Sequence, residues 1–148
     1  MGFDLSLISL PYENLIILIG ILHMTEGVLI ILDAKKNNEC AITYKGNKLV
    51  GGYQTYKKWF IPLFFFSIRD IYLPILVIMA YADETFTMSP IKKAVAMGKY
   101  IFFYGMLISL LGYFTFKQSL SLILVMICMP LLHETLFIIN KRLEIKNK

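Results

Sequence analysis

The sequence predicts an all-α integral membrane protein with four transmembrane helices and a small β-hairpin in the loop between the first two helices. The first observation is composition, because 57% of the 148 residues are hydrophobic and 14% are aromatic. A soluble domain of this length needs fewer apolar residues for its core. The second observation is a set of four apolar stretches that approach or reach the roughly 20 residues with which a helix crosses about 30 Å of hydrocarbon. They are Leu15–Leu32, Trp59–Tyr81, Tyr100–Phe116 and Leu120–Asn140.

These stretches predict that residues 1–148 form a single membrane domain. Residues 33–58 form a polar loop that is rich in lysine, and residues 141–148 form a basic tail. Within the loop, Ala41–Tyr44 and Lys48–Tyr53 flank a Lys-Gly-Asn turn, which is typical of a β-hairpin. An isolated hairpin is marginal in water, so we expect it to rest on the bilayer surface or on neighbouring helix ends.

The second predicted helix is the least regular of the four. Pro62 and Pro74 interrupt it, and Arg69 and Asp70 fall near its middle. Proline removes a backbone donor and crowds the preceding turn, so we expect a kink or a break in this helix.

The third predicted helix carries small residues at i, i+4 and i+7, namely Gly105, Ser109 and Gly112. Such a face lets another helix approach closely, and it predicts a protein partner or a homo-oligomer at this position. Only Phe116–Ser119 separates this helix from the fourth, which predicts a tight antiparallel helical hairpin.

The net charge of +5 comes largely from lysines that flank the predicted helices, where anionic lipid headgroups attract them. Binding to nucleic acid is not expected, because no soluble domain presents a basic face. The charges do not orient the four-helix protein. The first loop with Lys117 carries seven Lys and Arg, and the second connection with the tail, on the opposite side, also carries seven. Four crossings do place both termini on one side.

The two cysteines are predicted to lie at different depths. Cys40 falls in the polar loop and Cys128 falls inside the fourth apolar stretch. Residues so placed are poor disulfide partners, and we interpret both as ordinary thiols.

Ionisable residues inside membrane helices are costly and invite a functional explanation. His23 and Glu26 are i and i+3 on one helix, so they are neighbours on its surface. One arrangement pairs Arg69 with Glu26 or Glu134 and leaves the histidines bonded to Asp70 or to threonine hydroxyls. In that interpretation the polar groups hold the helix bundle together. The predicted structural polar network is His23, Glu26, Arg69, Asp70, His133 and Glu134.

A metal site that uses His23, Glu26, His133 and Glu134 is the alternative, since imidazoles and carboxylates suit zinc. Their spacing differs from the Glu-x-x-His pairs of carboxylate-bridged bundles. The stretch HETLF begins like the zinc-protease motif H-E-x-x-H, but Phe137 stands where the second histidine is required. The alternative is therefore a membrane metalloprotein or a degenerate intramembrane metalloprotease. A third hypothesis is small-ion or proton transport.

Three segments carry a resemblance to a known family. They are LPYENLIILIGILHMTEGVLIILD, NKLVGGYQTYKKWFIPL and MPLLHETLFIINKR. Together they resemble the membrane portion of Firmicute PDZ-domain membrane proteins, a group that is similar to the cell-division topology protein MinJ. The likeness spans most of residues 10–145. Its most specific elements are the His-x-x-Glu-Gly of the first helix, the Gly-Gly-Tyr-Gln entry to the second, and the Leu-His-Glu before the basic tail.

The resemblance implies a membrane anchor followed by a cytoplasmic PDZ domain that binds peptides by strand addition. It also implies a connection with cell division or envelope organisation, with both termini in the cytoplasm and the hairpin loop outside. The sequence stops at Lys148, where such a domain would begin, so peptide recognition is not carried over and we expect a fragment, a split reading frame or a stand-alone relative. We predict a multi-pass anchor or scaffold of the cell membrane that is not an enzyme and needs no cofactor.

Overall fold

The computed structural model describes residues 12–68 and 71–146. Within those residues it contains three helices and one antiparallel sheet of three strands in the order β1-β2-β3. The elements are α1 (Tyr12–Leu32), β1 (Asn38–Lys45), β2 (Lys48–Ile68), β3 (Ile71–Thr85), α2 (Pro90–Phe116) and α3 (Leu122–Lys146). The predicted all-α fold with four helices is therefore wrong, both in its number of helices and in the size of its sheet.

The error lies in Trp59–Tyr81, which the sequence predicts to be the second helix. The structure places the described residues of this stretch in β2 and β3. The two strands form a long antiparallel hairpin that extends from the Tyr53–Thr85 pair to the Ile68–Ile71 pair. Arg69 and Asp70 follow β2 in the sequence and lie outside the described residues.

Side-chain shape and proline explain why this segment forms strands. Aromatic and β-branched residues dominate it, and they pack well on a pleated surface but lose rotamer freedom in a helix. Pro62 is tolerated in a strand with a free edge, and β1 covers β2 only as far as Thr55. Pro74 falls opposite the register shift between Leu63 and Phe66, where the ladder is already interrupted.

The turn that the sequence predicts in the polar loop is present. Lys45 pairs with Lys48 across Gly46 and Asn47. Gly46 has a φ of 64°, a conformation that glycine adopts without steric cost. β1 and the first part of β2 thus form the predicted hairpin, but β2 continues past it to pair with β3.

α1 and α2 pack antiparallel at very short range, along glycines that are spaced seven residues apart. A Cβ atom added at Gly20 would lie 2.7 Å from the carbonyl oxygen of Gly105, and one added at Gly27 would lie 2.5 Å from that of Gly98. Real side chains do not tolerate such distances, so these glycines set the approach of the two helices.

The same contact occupies the small-residue face for which the sequence predicts a partner. A Cβ atom at Gly20 would lie 2.6 Å from the backbone nitrogen of Ser109, and Gly112 lies against Ile16 and Ile17. In this chain, α1 therefore covers the face of α2 that carries Gly105, Ser109 and Gly112.

α2 and α3 form the tight antiparallel hairpin that the sequence predicts. Phe116 ends α2 and Leu122 begins α3, and Gln118 in the connection has a φ of 54°. Both helices are longer than predicted. α2 begins at Pro90, before the predicted start at Tyr100, and α3 continues into the basic tail as far as Lys146.

Among the described residues, three helices are long and apolar enough to cross a membrane. Because neighbouring helices are antiparallel, the C-terminus of α1, the N-terminus of α2 and the C-terminus of α3 lie at one end of the bundle. The sheet is attached there, and we call it the sheet end. Tyr12 lies at the opposite end, so the described segment begins and ends at opposite ends of the bundle. The four-helix prediction places both termini on one side.

Two buried apolar clusters hold these elements together. The cluster at the sheet end joins α1, α2 and β3, with Trp59 of β2 packed against it: Ile30, Ala34, Tyr81, Ala94, Met97 and Ile101. The second cluster joins the three helices further from the sheet: Ile16, Tyr104, Ile108 and Val125. Only 6% of the most apolar stretch of α3 is buried, so α3 contacts the rest of the chain through one narrow face.

Candidate functional site

Three of the predicted polar residues meet between the helices. His23 on α1 and His133 on α3 contact the ring of Tyr104 on α2 edge-on, with centroid distances of 5.1 and 6.1 Å. Glu26 is partly buried and lies near both histidines. His23, Glu26 and His133 therefore lie near one another, and Tyr104 contacts both histidines.

The hydrogen bonds of this group point to backbone atoms. Nδ1 of His23 lies 2.8 Å from the carbonyl oxygen of Ile19, one turn earlier in α1. The hydroxyl of Tyr104 donates to the carbonyl oxygen of Met129 at 3.4 Å. Such bonds fix the orientation of the rings, while edge-on contacts between rings supply packing energy. The geometry describes a polar contact that positions three helices.

The remaining predicted residues do not join this group. Glu134 is exposed on α3, and His133 is also largely exposed, with the ring of Phe137 at 6.2 Å. Arg69 and Asp70, the predicted ion-pair partners, lie outside the described residues. Across the part of the chain that the structure describes, no three His, Cys, Asp or Glu side chains are grouped to hold a metal ion.

A buried ionic network lies at the sheet end, and little in the sequence predicts it. Lys93, on the first turns of α2, is 3% exposed. Its ammonium lies 2.9 Å from Oδ1 of Asp83 on β3 and 3.0 Å from Oε1 of Glu144 on α3. It also donates to the carbonyl oxygen of Glu84. One lysine thus connects the sheet to two helices.

The carboxylates of this network have further donors. Asp83 accepts hydrogen bonds from Asn140 at 3.1 Å and from the Tyr81 hydroxyl at 2.8 Å. Burial and the adjacent Asp83 raise the pKa of Tyr81 well above its usual range. Glu144 accepts from the Thr87 hydroxyl at 3.1 Å. Buried charges of this kind are stable only when they are paired and hydrogen-bonded, and here they are.

The one local sign of this network is the position of Lys93. A cation in the first turn of a helix opposes the positive end of the helix dipole, so it needs a specific partner. Lys92 and Lys93 are equivalent in the sequence, however, and only the packing of α2 shows which of them is buried.

A second buried lysine lies at the C-terminal end of α1. The ammonium of Lys57, which is 1% exposed, donates to the carbonyl oxygens of Asp33 at 2.5 Å and Lys36 at 2.7 Å. A cation there is favoured by the negative end of the helix dipole, and it bonds to carbonyl groups of the turn that follows α1. Hydrogen bonds from Lys36 and from the Trp59 indole hold the pKa of Asp33 below its usual range. Burial lowers the pKa of Lys57.

A groove of about 510 Å³ opens beside the sheet. It exists because β3 ends at Thr85, opposite Tyr53, so that within the described residues Lys48–Gly52 pair with β1 on one side only. Gly52 lies against the ring of Phe86, where an added Cβ atom would come within 2.4 Å. The groove is lined by Cys40, Ala41, Ile42, Gly51, Gly52, Tyr53 and residues 85–89.

Comparison with known proteins identified no relative of this chain. Searches against protein-family models, curated proteins and solved structures found no match to the chain.

Proposed function

We propose that this chain is a multi-pass membrane anchor that holds a three-stranded antiparallel sheet at the membrane surface as a scaffold for other proteins. The observation that supports this most directly is the Lys93 network, because one buried side chain fixes the sheet to α2 and α3. The Lys57 contacts fix the central strand β2 to the turn that follows α1. In both networks a buried lysine ammonium is held by several oxygen atoms, as expected of groups that position a structure.

The arrangement of the intramembrane groups also favours an anchor over a metalloprotein. His133 and Glu134 are exposed on α3, and no three His, Cys, Asp or Glu side chains among the described residues are grouped closely enough to hold a metal ion. The metalloprotein and small-ion hypotheses, and a role in cell division or envelope organisation, stay predictions.

The three-helix arrangement changes the charge argument on orientation. In the described ranges, the sheet end carries the loop lysines, the lysines near the start of α2 and the basic residues at the end of α3. Lys117 is the only basic residue of those ranges that lies at the other end. Lys and Arg accumulate on the cytoplasmic side of membrane proteins. We therefore place the sheet end and the end of α3 in the cytoplasm and the start of α1 outside.

The groove beside β2 is the part of the scaffold that we expect to contact a partner. The unpaired edge of Lys48–Gly52 has the backbone donors and acceptors that an added strand requires, and Gly51 has open space where a side chain would be. Lys48 is exposed at the start of this edge, and its charge favours an acidic segment. The proposed occupant is thus an extended, acidic segment of a partner protein.

Photo-crosslinking in living cells tests this function. A benzophenone amino acid at Ile42, which lines the groove and is 73% exposed, is expected to yield a discrete adduct of higher mass. The matched control is Leu49, which is 62% exposed and does not line the groove. If Ile42 yields no adduct, or the same adducts as Leu49, the scaffold proposal fails.

A further inference from the structure

α3 has two faces with the same spacing but different surroundings. Its inner face contacts the apolar clusters through residues such as Val125, Leu132 and Leu136. On the other side, residues recur in alternating steps of three and four, and all of them are exposed. This outer stripe consists of Leu124, Ile127, Leu131, Glu134, Ile138, Lys141 and Ile145.

The spacing of the outer stripe is that of a helix-pairing seam. Apolar residues at alternating steps of three and four stay on one side of a helix and interlock with an equivalent helix. From Leu124 to Ile145 the stripe is roughly 31 Å long at 1.5 Å per residue. It therefore runs the full depth of a bilayer core.

Glu134 is the acidic residue of this stripe. It lies at the middle of the apolar segment Leu122–Ile145, roughly 18 Å from either end. In the ranges 12–68 and 71–146, no hydrogen bond or ion pair to its carboxyl group is formed within the chain. An ionisable side chain at this depth is costly in lipid, and such residues almost always face protein or water.

We propose that the outer stripe of α3 binds the outer stripe of a second copy of this chain, with the two Glu134 carboxyl groups hydrogen-bonded to each other. A second copy inserted in the same orientation places an identical carboxyl at the same depth, which no arbitrary partner does. The two helices then run parallel about a two-fold axis along the membrane normal. In this pair the two carboxyl groups share hydrogen bonds across the two-fold axis, and Leu131 and Ile138 pack on either side.

The remaining members of the stripe fit this arrangement. Lys141 lies near the sheet end, where its ammonium reaches the headgroup region while its stem covers apolar surface. The stripe is separate from the groove beside β2, so self-association does not depend on the scaffold having a partner there.

Energy transfer between labelled copies of the full chain in liposomes measures this association over a range of protein-to-lipid ratios. Glu134→Leu is expected to weaken it about ten-fold, the effect of losing one interhelical polar contact. Glu134→Gln keeps a hydrogen-bonding group and is expected to associate like the wild type. Both variants place a group on an exposed surface, so the fold is retained. A wild type that stays monomeric at every ratio, or a leucine variant that associates equally well, overturns the proposal.

Cysteine cross-linking gives an independent test of the face. In a background with Cys40→Ser and Cys128→Ser, Leu131→Cys is expected to form a disulfide between copies when a mild oxidant is added to membranes. Met126→Cys is the matched control, because Met126 is 64% exposed and Leu131 is 62% exposed, but Met126 lies on another face of α3. Equal cross-linking at the two positions contradicts the proposed interface.

Discussion

Replacing Lys93 by methionine removes the charge that joins the sheet to α2 and α3 and keeps most of the side-chain stem. The side chains of Lys93 and Asp83 are 4% and 8% exposed, and that of Glu144 is 20% exposed. The substitution leaves the two carboxylates close together without their cation. Breaking a buried ion pair in this way costs about 3–5 kcal/mol of unfolding free energy. We therefore expect Lys93→Met to reduce the ratio of folded to unfolded protein by about a hundred-fold or more.

The single tryptophan provides the assay. Trp59 packs at the sheet end and bonds to Asp33, so its fluorescence reports detachment of the sheet during a denaturant titration in micelles. Lys92→Met is the matched control, and we expect it to change the unfolding free energy by less than about 0.5 kcal/mol because Lys92 is exposed. Glu144→Gln combined with Lys93→Met should lose less than the sum of the single variants. If Lys93→Met is as stable as Lys92→Met, the network does not hold the sheet.

Two further predictions concern helix packing and orientation. Gly105→Ala places a Cβ atom 2.5 Å from the carbonyl oxygen of Gly20 and should lower the unfolding free energy by about 1–3 kcal/mol in the same assay. Gly51→Ala enters open space and should change it little, so equal losses at the two positions would refute the packing argument. Cys40 is exposed on β1. With Cys128→Ser as background, a membrane-impermeant maleimide should label it only after the cells are opened, and labelling in intact cells contradicts a cytoplasmic sheet.

Local sequence signals predicted some elements well. The Gly46-Asn47 turn and the short link after Phe116 depend on neighbouring residues, and both are where the sequence places them. The prediction of a helix at Trp59–Tyr81 was wrong because a segment that is apolar on every side has no periodicity, so that its length alone favoured a helix. The segment also contains two prolines and many β-branched and aromatic residues, which favour a strand over a helix. These preferences decide the structure once a pairing strand is available.

The candidate site was harder to predict from the sequence than the fold. His23 and His133 were identified because ionisable residues are rare among apolar ones, but their joint contact with Tyr104 depends on how three helices are rotated. Lys93 and Glu144 are 51 positions apart in the numbering and sit among other charged residues, so no spacing relates them. Burial selects one lysine from an adjacent pair, and burial is a property of the assembled bundle.

The glycine contacts between α1 and α2 also bear on how the protein is made. Gly20 and Gly27 have no partner until α2 has been synthesised, because the entire sheet segment separates the two helices in the sequence. At about 5–20 residues per second, the ribosome needs roughly 4–16 s to progress from the end of α1 to Gly112. An α1 that enters the bilayer as it is made would wait through that interval with its glycine face uncovered, and an insertase or chaperone that shields polar backbone from lipid would be expected to bind it.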